Sequence, residues 1–112
     1  MDCIFCKIAA GSIPSKKVRE DEHLLAFHDI DPKAPTHILV IPKKHIASLA
    51  EAKPEDEALL GRLLLAVSEI GREQGLGKGY RVVISTGAEG GQTVDHLHVH
   101  LLGGRQMHWP PG

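Results

Sequence analysis

Three histidines alternate with aliphatic residues in His96-Leu97-His98-Val99-His100-Leu101-Leu102. Extended chain has a side-chain period of two, so His96, His98 and His100 share one face and Leu97, Val99 and Leu101 take the other. Three chemistries suit such a row. It could be the solvated face of an amphipathic strand, although such a face has little reason to choose imidazole three times. It could be a His₃ zinc site. It could also be imidazole acting on phosphorus, with one ring as nucleophile. Gly90-Gly91-Gln92-Thr93, directly upstream, favours the last. Glycines let backbone N–H groups approach an anion closely, and Thr93 adds a hydroxyl donor. Cys3 and Cys6 form a second candidate set. In a reducing compartment a C-x-x-C reads as half of a zinc site or as a redox pair.

Positioning these groups falls to 112 residues, the size of one domain spanning 1–112. Apolar residues make up 42 %, enough for one core, and aromatics only 4 %, so aliphatics carry the packing. The net charge is −1, and there is no basic run. Duplex nucleic acid and anionic membranes are therefore unexpected partners, because both need clustered positive charge. No apolar run approaches the roughly 20 residues that span a bilayer. The stretch Met1–Lys7 lacks the pattern of a secretory signal, and the expected location is cytoplasmic.

Periodicity predicts a short helical turn over 3–10, then strands at 17–20, 24–28, 37–41, 80–86 and 96–102. One long helix is expected over 54–74. Pro54 suits its first turn, acidic residues follow, and Leu60, Leu63, Leu64, Val67 and Ile70 recur at helical spacing. Gly75 fits the left-handed stop, with Leu76 as the apolar residue beyond it. The sum is an α+β fold with an antiparallel sheet of about five strands, one long helix and a short N-terminal helix.

The alternating histidine segment resembles the signature of the histidine triad (HIT) family. The likeness covers nearly the whole chain and is similar to the Hint branch at 25–30 (Leu-Ala-Phe-His-Asp-Ile), 34–37, 40–46, 79–81 and 90–92, and in the tail 103–112. That resemblance implies a homodimer with sheets joined across it. It also implies hydrolysis of purine nucleoside phosphoramidates, such as AMP linked to the amine of a lysine, with no cofactor required for catalysis. His98 would be the nucleophile and form a nucleotidyl-histidine, its tautomer set by the backbone carbonyl of His96. His100 would contact phosphate oxygens, and His37 would complete the site from another strand. One of these two could help protonate the leaving amine. Asp29 would accept ribose hydroxyls. Phe5, Ile8, Phe27, Ile30 and Leu39 would match or flank the base pocket. Ser85, Gly91, Gln92 and Thr93 would lie at the phosphate. Trp109, in a tail that crosses the dimer, would line the partner's site.

Two departures stand out. Ser85 replaces the usual Asn, and Asp95 replaces a common aromatic. Some bacterial members hold a structural zinc, and the matching positions here are Cys3, Cys6, His45 and His96. An alternative function is a nucleotide-binding, zinc-stabilised interaction module with little turnover.

Overall fold

The computed structural model describes residues 3–112, so Met1 and Asp2 lie outside the described residues. Five strands form one antiparallel sheet. They are β1 (Lys17–Glu20), β2 (Leu24–His28), β3 (Thr36–Pro42), β4 (Tyr80–Val83) and β5 (Val99–Gly103), in spatial order β1-β2-β3-β5-β4. Helices α1 (Ile4–Ala9) and α2 (Glu57–Glu73) cover opposite faces. The α+β expectation therefore holds, with one long helix and one short one.

Alternation explains the two faces. Register pairs Ala26 with Val40 and Val40 with Val99, and all three pack under α2 beside Ile38 and Leu101. One residue out of phase, Phe27 pairs with Leu39 and Leu39 with His100. Phe27 and Leu39 join Leu25, Ile41, Phe5 and Ile8 in a second cluster on the α1 side. β3 is covered on both faces, which is why it reads as an unbroken aliphatic run. The histidine face is thus the α1 face of the sheet.

The expected helix over 54–74 begins as a single 3₁₀ turn, Pro54–Asp56, before α2 proper. It ends as expected. Gly75 has φ 76°, Gly75 N–H bonds to Arg72 O, and Leu76 N–H bonds to Gly71 O. This is the Schellman pattern, and Leu76 turns into the core. Leu63, Ala66, Val67 and Ile70 are buried with Leu60 packed beside them, but Leu64 is half exposed. It follows Leu63 by about 100° around the axis, which carries it off the sheet-facing stripe.

Two strands are shorter than predicted. β4 stops at Val83, because the chain folds back at 86–92 into a glycine turn. A Cβ on Gly90 would overlap Thr86 O, so only glycine allows that approach. β5 starts at Val99, not at His96. His96 N–H bonds to Val94 O and Leu97 N–H to Ile46 O, so residues 96–98 lie outside the ladder. Their alternation survives, with Leu97 under α2 and His96 and His98 buried on the other side.

Candidate active site

His98 is buried beneath α1 and is anchored by its own backbone. Its Nδ1 lies 2.7 Å from His96 O. A carbonyl can only accept, so Nδ1 carries the proton and Nε2 keeps a lone pair. The Phe5 ring meets His98 edge-on, with centroids 5.0 Å apart and planes at 83°. Hydrogen bond and aromatic contact together hold the imidazole in one tautomer and one orientation.

Beside it, the His100 and His98 centroids are 4.9 Å apart. His100 Nδ1 lies 2.9 Å from His37 Nε2, and His37 Nδ1 accepts the backbone N–H of Lys33 at 3.0 Å. Asp29 Oδ2 is 3.5 Å from His37 Nε2. Burial pushes His37 below the ordinary imidazole range, against the pull of Asp29. Burial, then the neighbouring His98 and His37, lowers His100 to about 4. Both rings are therefore neutral at neutral pH.

A third cluster lies on the far side of His96. Its ring is fully buried, and its Nε2 donates to Pro42 O at 2.8 Å, so the Nδ1 lone pair faces Cys3 and Cys6. His96 Nδ1 is 3.3 Å from Cys3 Sγ, 3.5 Å from Cys6 Sγ and 3.2 Å from His45 Nδ1; Cys6 Sγ is 3.2 Å from His45 Nδ1. Tetrahedral zinc separates N from N by about 3.3 Å and N from S by about 3.6 Å, given Zn–N near 2.05 and Zn–S near 2.3 Å. These four distances fall within a few tenths of those spacings, and the four groups form a set that could hold a metal ion. Burial and the adjacent Cys3 push the Cys6 thiol up.

This geometry removes the His₃ metal reading. His96 turns to the cysteines and does not converge with His98 and His100. The set Asp29, His37 and His100 also brings ligand atoms together. There, however, the Lys33 amide occupies His37 Nδ1, which leaves the proton on Nε2 and no lone pair for a metal.

The remaining predicted residues divide. Phe5, Ile8, Phe27 and Leu39 are buried together, whereas Ile30, beyond the end of β2, is fully exposed and Trp109 is largely so. Asp29 Oδ1 accepts Asp31 N–H at 2.8 Å, an Asx turn that shapes the loop carrying Lys33. Ser85 is partly buried, while Gly91, Thr93 and Asp95 are exposed.

Gly91 and Gln92, the residues expected at the phosphate, have their backbone donors engaged within the loop. Gly91 N–H bonds to Ala88 O and Gln92 N–H to Gly87 O. The Gln92 amide ties Gly87 N–H, Ala47 O and Val94 O together. Gln92 thus knots the loop, and Thr93 is exposed beside it. Sequence reasoning missed this knot, the Lys33 amide and the Phe5–His98 contact. The Asp-x-Asp-Pro turn was the available sign of the second.

A buried, backbone-anchored imidazole beside a paired imidazole, on an α+β antiparallel sheet, is the architecture of a histidine triad protein. The HIT domain pattern matches residues 10–107. A HIT-like protein of Synechococcus elongatus is 60 % identical over 111 residues, covering 99 % of this chain and 97 % of that protein. The crystal structure of a HIT family hydrolase from Legionella pneumophila superposes with a TM-score of 0.98 at 52 % identity, covering 99 % of this chain and all of that one. A histidine triad nucleotide-binding protein from Candida albicans superposes at 0.84 with 35 % identity, covering 97 % and 83 %. The chain belongs to the HIT family and carries the fold of its hydrolases.

Proposed function

We propose that this chain hydrolyses purine nucleoside phosphoramidates, in which AMP or a related nucleotide is linked to an amine, through a nucleotidyl intermediate on His98. The observation that carries the reading is the bond from His98 Nδ1 to His96 O, which leaves the Nε2 lone pair available as nucleophile. Likeness to a hydrolase and to a nucleotide-binding protein supports it. His98 Nε2 bonds to phosphorus as the P–N bond breaks, its electron pair leaving with nitrogen, which takes up a proton and departs as the amine. Water then attacks phosphorus, frees the imidazole and releases the nucleoside monophosphate.

Around this centre His100 and Thr93 donate to phosphate oxygens, with Ser85 and Gly91 beside them and Gln92 bracing the loop. Asp29 accepts ribose hydroxyls with the lone pairs its Asx turn leaves. Phe27, Phe5, Ile8 and Leu39 form the apolar floor under the base, with Ile30 at its rim.

The Cys3, Cys6, His45 and His96 set suits zinc. When bound, zinc would supply a closed structural cross-link and no reactive water. A homodimer fits the exposed edge strand β4, where Tyr80 and Val82 are more than a third exposed beside a groove of about 840 Å³ lined also by Arg81, Arg105 and Met107. Trp109 would then reach the partner's site. Two free thiols suit a cytoplasmic setting.

The test is incubation with an adenosine phosphoramidate, a quench in mild base and intact-protein mass measurement. An adenylyl adduct on wild type that is absent from His98→Ala is expected. Tight nucleotide binding with neither adduct nor product would replace this reading with that of a zinc-stabilised binding module.

A further inference from the structure

The donor chain through the second histidine pair ends on a group that cannot release a proton. Lys33 N–H donates to His37 Nδ1, so that nitrogen stays unprotonated and His37 carries its proton on Nε2. Nε2 lies 2.9 Å from His100 Nδ1, with Asp29 Oδ2 3.5 Å away on its flank. His100 Nδ1 is thereby an acceptor, and the proton of His100 sits on its own Nε2.

We infer that the Lys33 amide locks His37 and His100 into a fixed pair of neutral donors, in which His100 offers Nε2–H to a phosphate oxygen and neither ring supplies the proton taken up by the leaving amine. His37 and the Lys33 amide are positioning groups. The inference rests on the proposed attack by His98.

Proton counting carries it. If His100 gave up its Nε2 proton, Nδ1 would need another, and the proton facing it belongs to His37. Moving that proton would strip His37 of its only one, because an amide cannot follow it. The result is an imidazolate, far out of reach near neutral pH. An imidazolium at His100 fares no better, since its Nδ1–H would meet His37 Nε2–H head on at 2.9 Å. The groups facing His100 agree: burial, His98 and His37 all oppose its charge, and only Asp29 favours it. The nearby Lys33 ammonium is itself paired with Asp31. The step balances with water as the acid. His98 Nε2 gains the bond to phosphorus, the amine keeps the P–N electron pair, and a solvent water protonates that nitrogen and is left as hydroxide.

The experiment has three arms on the full chain. The first is two-dimensional NMR of ¹⁵N-histidine protein near pH 7. Nε2–H tautomers are expected at both His37 and His100; an Nδ1–H form or an imidazolium at either overturns the proposal. The second compares His100→Gln with His100→Ala, using adenosine phosphoramidates of an aromatic and an alkyl amine. The Gln amide N–H takes the place of Nε2–H but is no acid. It should restore at least about tenfold of the rate that Ala loses, by a similar factor for both amines. A lost general acid would instead cost about 10²–10⁴, with most of the loss on the basic amine and no rescue by Gln. The third compares Lys33→Pro, which deletes the N–H, with Lys33→Ala, which keeps it. Only Pro should scramble the His37 tautomer; an unchanged tautomer in Lys33→Pro also overturns the proposal. Absence of a His98 adduct would end the functional reading while leaving the tautomers as they are, so the two failures are distinguishable.

Discussion

Lowering the pH from about 7.5 to about 5 sets the burial of His100 against its basicity. In the unfolded chain its imidazole titrates at the ordinary value of 6.5, whereas in the folded domain it is held down to about 4. Between those values the unfolded state binds more protons, so stability is complete above about 6.5 and drains away as pH falls toward about 4. The full shift would cost about 2 kcal/mol at pH ~5, and partial exposure of the ring trims that to about 1–2 kcal/mol. His37 is lowered in the same direction by its own burial and adds to the slope. The assay is urea unfolding at half-unit pH steps, comparing wild type with His100→Gln, which has no imidazole to titrate. The wild-type curve should lose about 1–2 kcal/mol more than the variant between pH ~7 and ~5. Parallel curves would refute the argument, because they would mean that His100 is already free to charge in the folded domain.

Two other perturbations probe separate parts of the structure. A chelator applied to zinc-loaded protein should lower Tm by roughly 10 °C, since a site filled at about 100 times its Kd is worth about 2.7 kcal/mol and a domain of this size moves about 4 °C per kcal/mol; Cys6→Ala should show no such response, and an equal response in both would remove the metal from Cys3, Cys6, His45 and His96. Leu97→Ala empties a fully buried position under α2 and should cost about 2–5 kcal/mol in chemical denaturation, whereas a loss below about 1 kcal/mol would mean that Leu97 does not pack where the structure puts it.

Local chemistry made much of this fold legible, and its gaps have local causes. Alternation at 96–102 assigned the two faces correctly, because burial enforces a period of two even where the ladder is missing. Gly75 and Leu76 announced the helix stop, since a left-handed position followed by an apolar residue has few other uses. Leu64 was misassigned because helical spacing marks a stripe but not its centre; the sheet under α2 sets that. The pairing of His37 with His100 depends on register between β3 and β5, which no local pattern encodes. The tautomer of each ring depends on single backbone atoms, the carbonyls of Pro42 and His96 and the amide of Lys33.

The shortened β5 and the proposed nucleophile are two sides of one fact. A carbonyl inside an antiparallel ladder points sideways to a neighbouring strand, and the ring two residues on cannot compete for it. At 96–98 the chain leaves the ladder: Leu97 N–H goes to Ile46 O, and His96 O is left to accept from the His98 ring. The same departure drops the His96 ring between Cys3, Cys6 and His45. One irregular dipeptide step therefore serves the candidate metal cluster through a side chain and the proposed nucleophile through a carbonyl. Adding three residues of regular strand would satisfy the periodicity of the sequence better, yet it would take the anchor away from His98. Local order is given up where the proposed chemistry would use a free carbonyl, and a strand pattern that overruns its strand marks the place.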